Sequence, residues 1–337
     1  MGAIALSPTN IVNNQLTYDK ENTYISMSKY EESPEIMIKR GDVIFVKTGS
    51  TVGKVAYVDK MICKTTLNPQ VVVLKDIKCD NYILSVIMST RNFQNKIQRI
   101  TVGGAVPTLS QVAMGNIFIS LPAAKEQEKI SKFISLLDER ITTQNKIIEG
   151  LKKLKSAISE NLFKAVKGDV VILYEICEII KGKQINGEFL SEKGKYYVMN
   201  GGTEPSGYYS DYNVEANTIS ISEGGNSCGY IQFNSSPFWS GGHCYTIQKI
   251  ADNVDNLYLY HYLKSHEDVI MKLRIGSGLP NIQKKDLAMF KIKLPTVEQQ
   301  KSISTFLSSL ERKAEIEEML LNAMKKEKQY LLRQMFI

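Results

Sequence analysis

The stretch Lys47-Thr48-Gly49-Ser50-Thr51-Val52-Gly53-Lys54 has the residue types of a phosphate cradle. A P-loop needs four residues between its glycines and a Ser or Thr after its lysine. Here three residues separate Gly49 from Gly53, and Val55 follows Lys54. A second stretch of the same make, Gly225-Asn226-Ser227-Cys228-Gly229, has no lysine in that position. The P-loop reading therefore fails. Two readings stay open: a small-residue loop that brings backbone N–H groups up to a phosphate or a base edge, or a tight turn whose glycines serve geometry alone.

Other catalytic chemistry finds little to stand on. His243, His261 and His266 do not form a metal-binding HExxH spacing. Gly225-Asn226-Ser227-Cys228-Gly229 spells G-x-S-x-G, but it is predicted between two strands, whereas a nucleophile elbow joins a strand to a helix. Asn68-Pro69-Gln70 departs from the Asn/Asp-Pro-Pro-aromatic tetrapeptide of enzymes that methylate exocyclic amines. No acid-rich nuclease cluster has convincing spacing. Cys63, Cys79, Cys177, Cys228 and Cys244 are odd in number and never spaced CxxC, which argues against a disulfide framework and a zinc site. Catalysis therefore finds little support among these residues. Further contact candidates are Arg99 beside Gly103 and Gly104, and Arg274 beside Gly276 and Ser277; a flexible loop next to arginine suits DNA backbone or groove contact. The run from Asn200 to Tyr212 adds Asn200, Tyr208 and Tyr209 on a glycine-rich loop. Trp239 reads as a core residue.

Composition sets bounds on these readings. The 337 residues suffice for two or three domains, and 42 Lys and Arg against 35 Asp and Glu leave a net charge of +7. That mild basic excess is compatible with nucleic acid. Unpaired cysteines fit a reducing cytoplasm. No apolar run approaches the length of a membrane span, no basic-then-hydrophobic leader opens the chain, and Leu6 stands where myristoylation wants Ser or Thr.

The loops recur because the whole chain is a repeat. Residues 121–140, LPAAKEQEKISKFISLLDER, align without a gap on residues 294–313, LPTVEQQKSISTFLSSLERK. The same shift of 173 carries Val102–Pro107 onto Ile275–Pro280. Asp42–Gly53 matches Thr218–Gly229 at a shift of 176, each predicted as a strand, a small-residue loop and a second strand. Residues 117–122 and 290–295 are expected to be strands leading into the helices. Apolar residues then fall at Ile130, Ile134, Leu137, Ile141, Ile148, Leu151, Ile158 and Leu162, a heptad seam. The second seam holds Ile303, Leu307, Leu310, Ala314, Leu321, Met324, Leu331 and Met335. Its polar breaks align too, Gln144 with Glu317 and Lys155 with Lys328. Each apolar stripe needs a partner, and the simplest is the other copy. The expected boundaries are 1–122 and 168–295 for the mixed domains, and 123–167 and 296–337 for the helices. Residues 173–184 open the second domain and have no counterpart in the first, so the first domain is expected to be shortened at its front.

The ordered set of Gly41-Asp42-Val43, the Gly49–Gly53 loop, the Gly103–Pro107 turn and Leu121–Ile130, occurring twice, resembles the specificity subunit of type I restriction-modification systems. The resemblance implies an α+β chain: a tandem repeat of two mixed α/β target recognition domains, each followed by a long helix, the helices pairing as an antiparallel coiled coil. Each domain would read one half of a split, asymmetric DNA site, and the helices would set the gap. The implied partners are double-stranded DNA, two methyltransferase subunits and, through them, restriction subunits. S-adenosylmethionine and ATP chemistry would belong to those partners. Phe133, Leu136, Leu154 and Phe163 are expected to stay open for them. The shortened front leaves an alternative, a non-reading assembly or regulatory variant that binds methyltransferase subunits alone.

Overall fold

A computed structural model describes residues 2–18, 21–276 and 278–336. The chain divides into two compact units, residues 1–145 with 320–337, and residues 146–319.

In the second unit the alternating run Thr218-Ile-Ser-Ile-Ser222 is the central strand of an antiparallel sheet. The sheet order is Glu178–Lys181, Cys244–Gln248, Thr218–Ser222, Ile231–Asn234. Ile219 and Ile221 turn to a core that holds Leu173, Ile176, Tyr258, Leu259 and Leu263. The polar residues of the strand are buried as well, and Asn234 answers them: its Nδ2 donates to Ser220 Oγ and Thr218 O, both at 2.9 Å. Buried hydroxyls and amides need such partners. Asp255 caps the helix Asn256–Ser265 by accepting from Tyr258 N at 2.7 Å. A three-stranded sheet (Gly207–Tyr209, Tyr196–Met199, Trp239–Ser240) and a pair, Asp169–Ile172 with Lys291–Leu294, complete the unit.

The first unit repeats this plan. Val43–Val46 is buried on both faces, as an unbroken apolar run requires. Ile44 and Val46 pack with Ile4 and Leu6, whereas Val43 and Phe45 pack with Met88, Phe93 and Ile97. The sheet order is Ile11–Val12, Gln15–Leu16, Val55–Tyr57, Val43–Val46, Val71–Leu74. Ala3–Leu6 joins Thr23–Ile25 and Thr65–Leu67 in a three-stranded sheet, the counterpart of Tyr196–Met199 and its neighbours. Asp80 caps the helix Asn81–Ser89. Residues 117–122, expected as a strand, form none; their counterpart Lys291–Leu294 is a strand because Asp169–Ile172 pairs with it, and no described strand does so here.

The long helices run Ala124–Ala165 and Val297–Met335. Every predicted seam residue is buried or half-buried: Ile130, Ile134, Leu137, Ile141, Ile148 and Leu151 on the first, Ile303, Leu307, Leu310, Leu321, Met324 and Leu331 on the second. The shared Leu-Pro…Gln motif acts as a latch. Gln127 Oε1 accepts from Asp80 N at 2.9 Å while its Nε2 donates to Pro122 O at 2.8 Å. Gln300 does the same with Asp255 N at 2.8 Å and Pro295 O at 2.9 Å. Each helix start is thus tied to the capping residue of its domain's main helix. Phe133, Leu136 and Leu154 are exposed as expected, but Phe163 is 3% exposed. Its ring packs edge-on against Tyr258 and Tyr262, because the helix end folds into the domain core.

Candidate nucleic-acid interface

Each unit brings its glycine loop and its glycine turn together into one lip. In the first unit Gly49 N donates to Pro107 O at 2.9 Å, and Leu109 N donates to Lys47 O at 2.8 Å. In the second, Gly225 N donates to Pro280 O and Ile282 N to Glu223 O, both at 2.9 Å. The turns are closed by reciprocal bonds between Val102 and Thr108, and between Ile275 and Asn281. Glycine is required at the positive φ of Gly49 and Gly53, +102° and +99°, and at Gly225 and Gly229, +76° and +91°.

The loops' glycine N–H groups are spent internally, since Gly53 N donates to Val46 O and Gly229 N to Ser222 O. Of the two readings open at the sequence level, these bonds belong to the tight turn. What the lip offers outward is side chains. Ser50 and Asn226 are exposed at the tips; Lys47, Thr48, Thr51 and Ser227 are half-buried beside them. Arg99, Gly103, Gly104, Arg274 and Gly276 are exposed along the turns, and Ser277 lies outside the described residues. Lys54 points inward, its Nζ donating to Ile11 O at 3.2 Å.

Asn200 is a brace: its Oδ1 accepts from His243 N at 3.1 Å and so holds the turn beside the second lip. Tyr208 and Tyr209 sit half-buried on the Gly207–Tyr209 strand, Tyr209 edge-on to Trp239. Trp239 is half-buried and donates its indole N–H to Lys183 O at 2.9 Å. Sequence reasoning missed the charged cluster under the second lip. Glu223 is 8% exposed, pairs with Lys181 at 2.6 Å, accepts from Tyr245 Oη at 2.9 Å and lies 3.9 Å from His243 Nδ1. Burial and this carboxylate hold the Tyr245 hydroxyl well above its ordinary pKa. The signal was available at the repeat shift of 176, which places Glu223 opposite Lys47: the equivalent position holds a carboxylate in one copy and an ammonium in the other.

Burial pushes the Cys177 thiol up to about 12 and the Cys244 thiol to about 11, so neither supplies a thiolate at neutral pH. Among the described residues no group of three His, Cys, Asp or Glu side chains could hold a metal ion. No described helix is long and apolar enough to cross a membrane.

The chain matches the type I restriction modification DNA specificity domain over residues 6–153 and again over 166–326. It is 32% identical over 165 residues to a putative type I specificity subunit of Mycoplasma pneumoniae, covering 48% of this chain and 42% of that one, so it spans less than half of that relative's length. It is 25% identical to a putative type I restriction enzyme specificity subunit of Methanocaldococcus jannaschii, covering 87% of this chain and 77% of the relative. Its fold is that of the crystal structure of a type I restriction-modification S subunit from M. genitalium, with a TM-score of 0.69 at 19% identity, covering 100% of this chain and 92% of that one. Two copies of one mixed α/β plan, each followed by a long helix and each matched by the same domain profile, make this chain a member of the type I restriction-modification DNA specificity family.

Proposed function

We propose that this chain is the non-catalytic, cytoplasmic DNA-reading subunit of a type I restriction-modification complex, in which each unit reads one half of a split site. The observation that carries this reading is the lip: the same joined loop and turn occur once per unit, yet the residues on them differ. A common frame with Ser50 exposed at one tip and Asn226 at the equivalent place on the other suits two different half-sites. The exposed arginines beside each turn suit phosphate contacts that position without specifying.

The long helices pair antiparallel as a spacer in this reading. Its support lies in ion pairs within each unit. Lys155 meets Glu311 at 2.7 Å and Lys152 meets Glu318 at 2.5 Å, so residue numbers rise on one helix as they fall on the other. In the other unit Lys328 meets Asp138, the same pair at the repeat shift. Two methyltransferase subunits dock on the helices and domain flanks and bring restriction subunits with them. S-adenosylmethionine and ATP are handled there.

Co-expression with methyltransferase subunits, followed by genome-wide mapping of methylated bases, tests the reading. A split, asymmetric motif with a constant gap is the expected result. A stable complex without methylation would favour an assembly or regulatory variant that no longer reads DNA. Failure to form any complex would overturn the role given to the helices.

A further inference from the structure

The two units differ at one edge. In the second, the segment Asp169–Lys181 is woven into the domain. Its Asp169–Ile172 strand pairs with Lys291–Leu294, and its Glu178–Lys181 strand pairs with Cys244–Gln248. Between them Leu173 N donates to Phe290 O, and Ala251 N donates to Ile176 O, both at 2.9 Å. Leu173, Ile176, Cys177 and Ile179 from this one segment are all buried in the core.

In the first unit nothing among the described residues fills the matching place. Val71–Leu74, the counterpart of Cys244–Gln248, is the outer strand of its sheet with one side unpaired. Residues 117–121 lack a ladder, and the Phe118 carbonyl is met instead by Lys96 Nζ at 2.9 Å. Two clefts open beside them. One, of about 620 Å³, sets Ile87, Phe93, Ile119 and Leu121 beside the polar Lys96 and Glu126. The other, of about 380 Å³, is walled by Val72, Leu74, Met88, Met114 and Ile117. Burial tracks the difference: Leu121 is 43% exposed, whereas its counterpart Leu294 is 8% exposed. An unpaired edge beside clefts that each present apolar side chains is the receptor half of strand addition.

We infer that this edge of the first unit is a docking groove for a strand–turn–strand polypeptide segment that is not among these 337 residues and has the chemistry of Asp169–Lys181. That chemistry is an extended arm on each side and apolar side chains spaced as Leu173, Ile176, Cys177 and Ile179. The second unit shows the seated form on the equivalent groove. A second copy is not the donor, because each copy carries two such grooves and one such segment, so exchange between copies leaves as many grooves open as before. The inference does not depend on DNA reading, and its test involves no DNA.

The test uses the full chain and a synthetic peptide of residues 169–184, followed by hydrogen exchange. Added peptide is expected to slow exchange at Val71–Leu74 and residues 117–121 by about tenfold or more, and to raise Tm with increasing peptide concentration. The same peptide carrying Leu173→Asp and Ile176→Asp is expected to do neither. Lack of protection at a saturating concentration of the unaltered peptide overturns the inference. So does protection that appears without peptide as the chain is concentrated and sediments as a dimer, which would name a second copy as the occupant. Protection confined to Cys244–Gln248 would mean exchange into the second unit, and overturns it too.

Discussion

At the scale of residues, buried polar side chains carry the sharpest expectations. His261 is 3% exposed, with Nε2 2.9 Å from Ser308 Oγ. Burial, the main cause, holds its pKa down to about 4 from 6.5; Glu311 opposes that shift and Lys155 assists it. Because the folded value lies below the unfolded one, the unfolded chain takes up more protons as pH falls through that interval. Stability is therefore full above about pH 6.5 and drops toward pH 4, by up to about 3 kcal/mol. Chemical denaturation across this range should show the drop, and His261→Gln should flatten it; an unchanged slope would assign the titration to another group. Arg99 and Arg274 lead to a second expectation. If they meet phosphates, Arg99→Ala weakens duplex binding for all sequences alike and lowers the salt slope by about one. Sequence showed Lys155 and Lys328 as breaks in the seam but not what they bind, since the partner of Lys155 lies 156 residues away. The inward turn of Lys54 was equally hidden, because one lysine looks like another until its neighbours are placed.

At the scale of elements, the helices were legible and one strand was not, for the same reason. A heptad seam is written in local spacing and needs no knowledge of the partner. A strand exists only through its ladder, so residues 117–122 and 290–295 share a pattern while only the second copy has Asp169–Ile172 beside it. The seam's energetic weight can be measured. Leu307 is fully buried, and Leu307→Ala should cost about 2–5 kcal/mol. Leu154 is half exposed, and Leu154→Ala should stay within about 0.5 kcal/mol. Equal losses at both positions in urea titrations would contradict the assigned faces. The latch makes a further element-scale case. Gln127→Ala leaves the Asp80 N–H without its acceptor, at a cost of about 1–3 kcal/mol, and Gln300→Ala should match it at Asp255.

At the scale of the whole chain, duplication made the architecture readable: two weak loops become a strong signal when they recur in order, at shifts of 176 and 173. The lips themselves were only half readable. Their glycines marked the turns, but the bonds from Gly49 to Pro107 and from Gly225 to Pro280 join segments far apart in sequence. If the helices are the spacer, lengthening both by a matched heptad adds about 10 Å. That is about three base pairs of duplex, and the methylated motif should keep its two halves while its gap grows by that amount. A motif with altered half-sites and an unchanged gap would argue that the gap is set elsewhere.

The latch also bears on how such chains can change. Gln127 and Gln300 grip backbone atoms at the root of each domain, through two equivalent bonds in both copies, and none of those partners lies on a lip. If the lips do read DNA, a mechanical joint that is uniform and a message that differs between copies can be inherited separately. Crossing-over at the Leu-Pro…Gln junction would then hand a chain a new vocabulary while leaving its hinges untouched, an exchange of whole words rather than letter-by-letter drift.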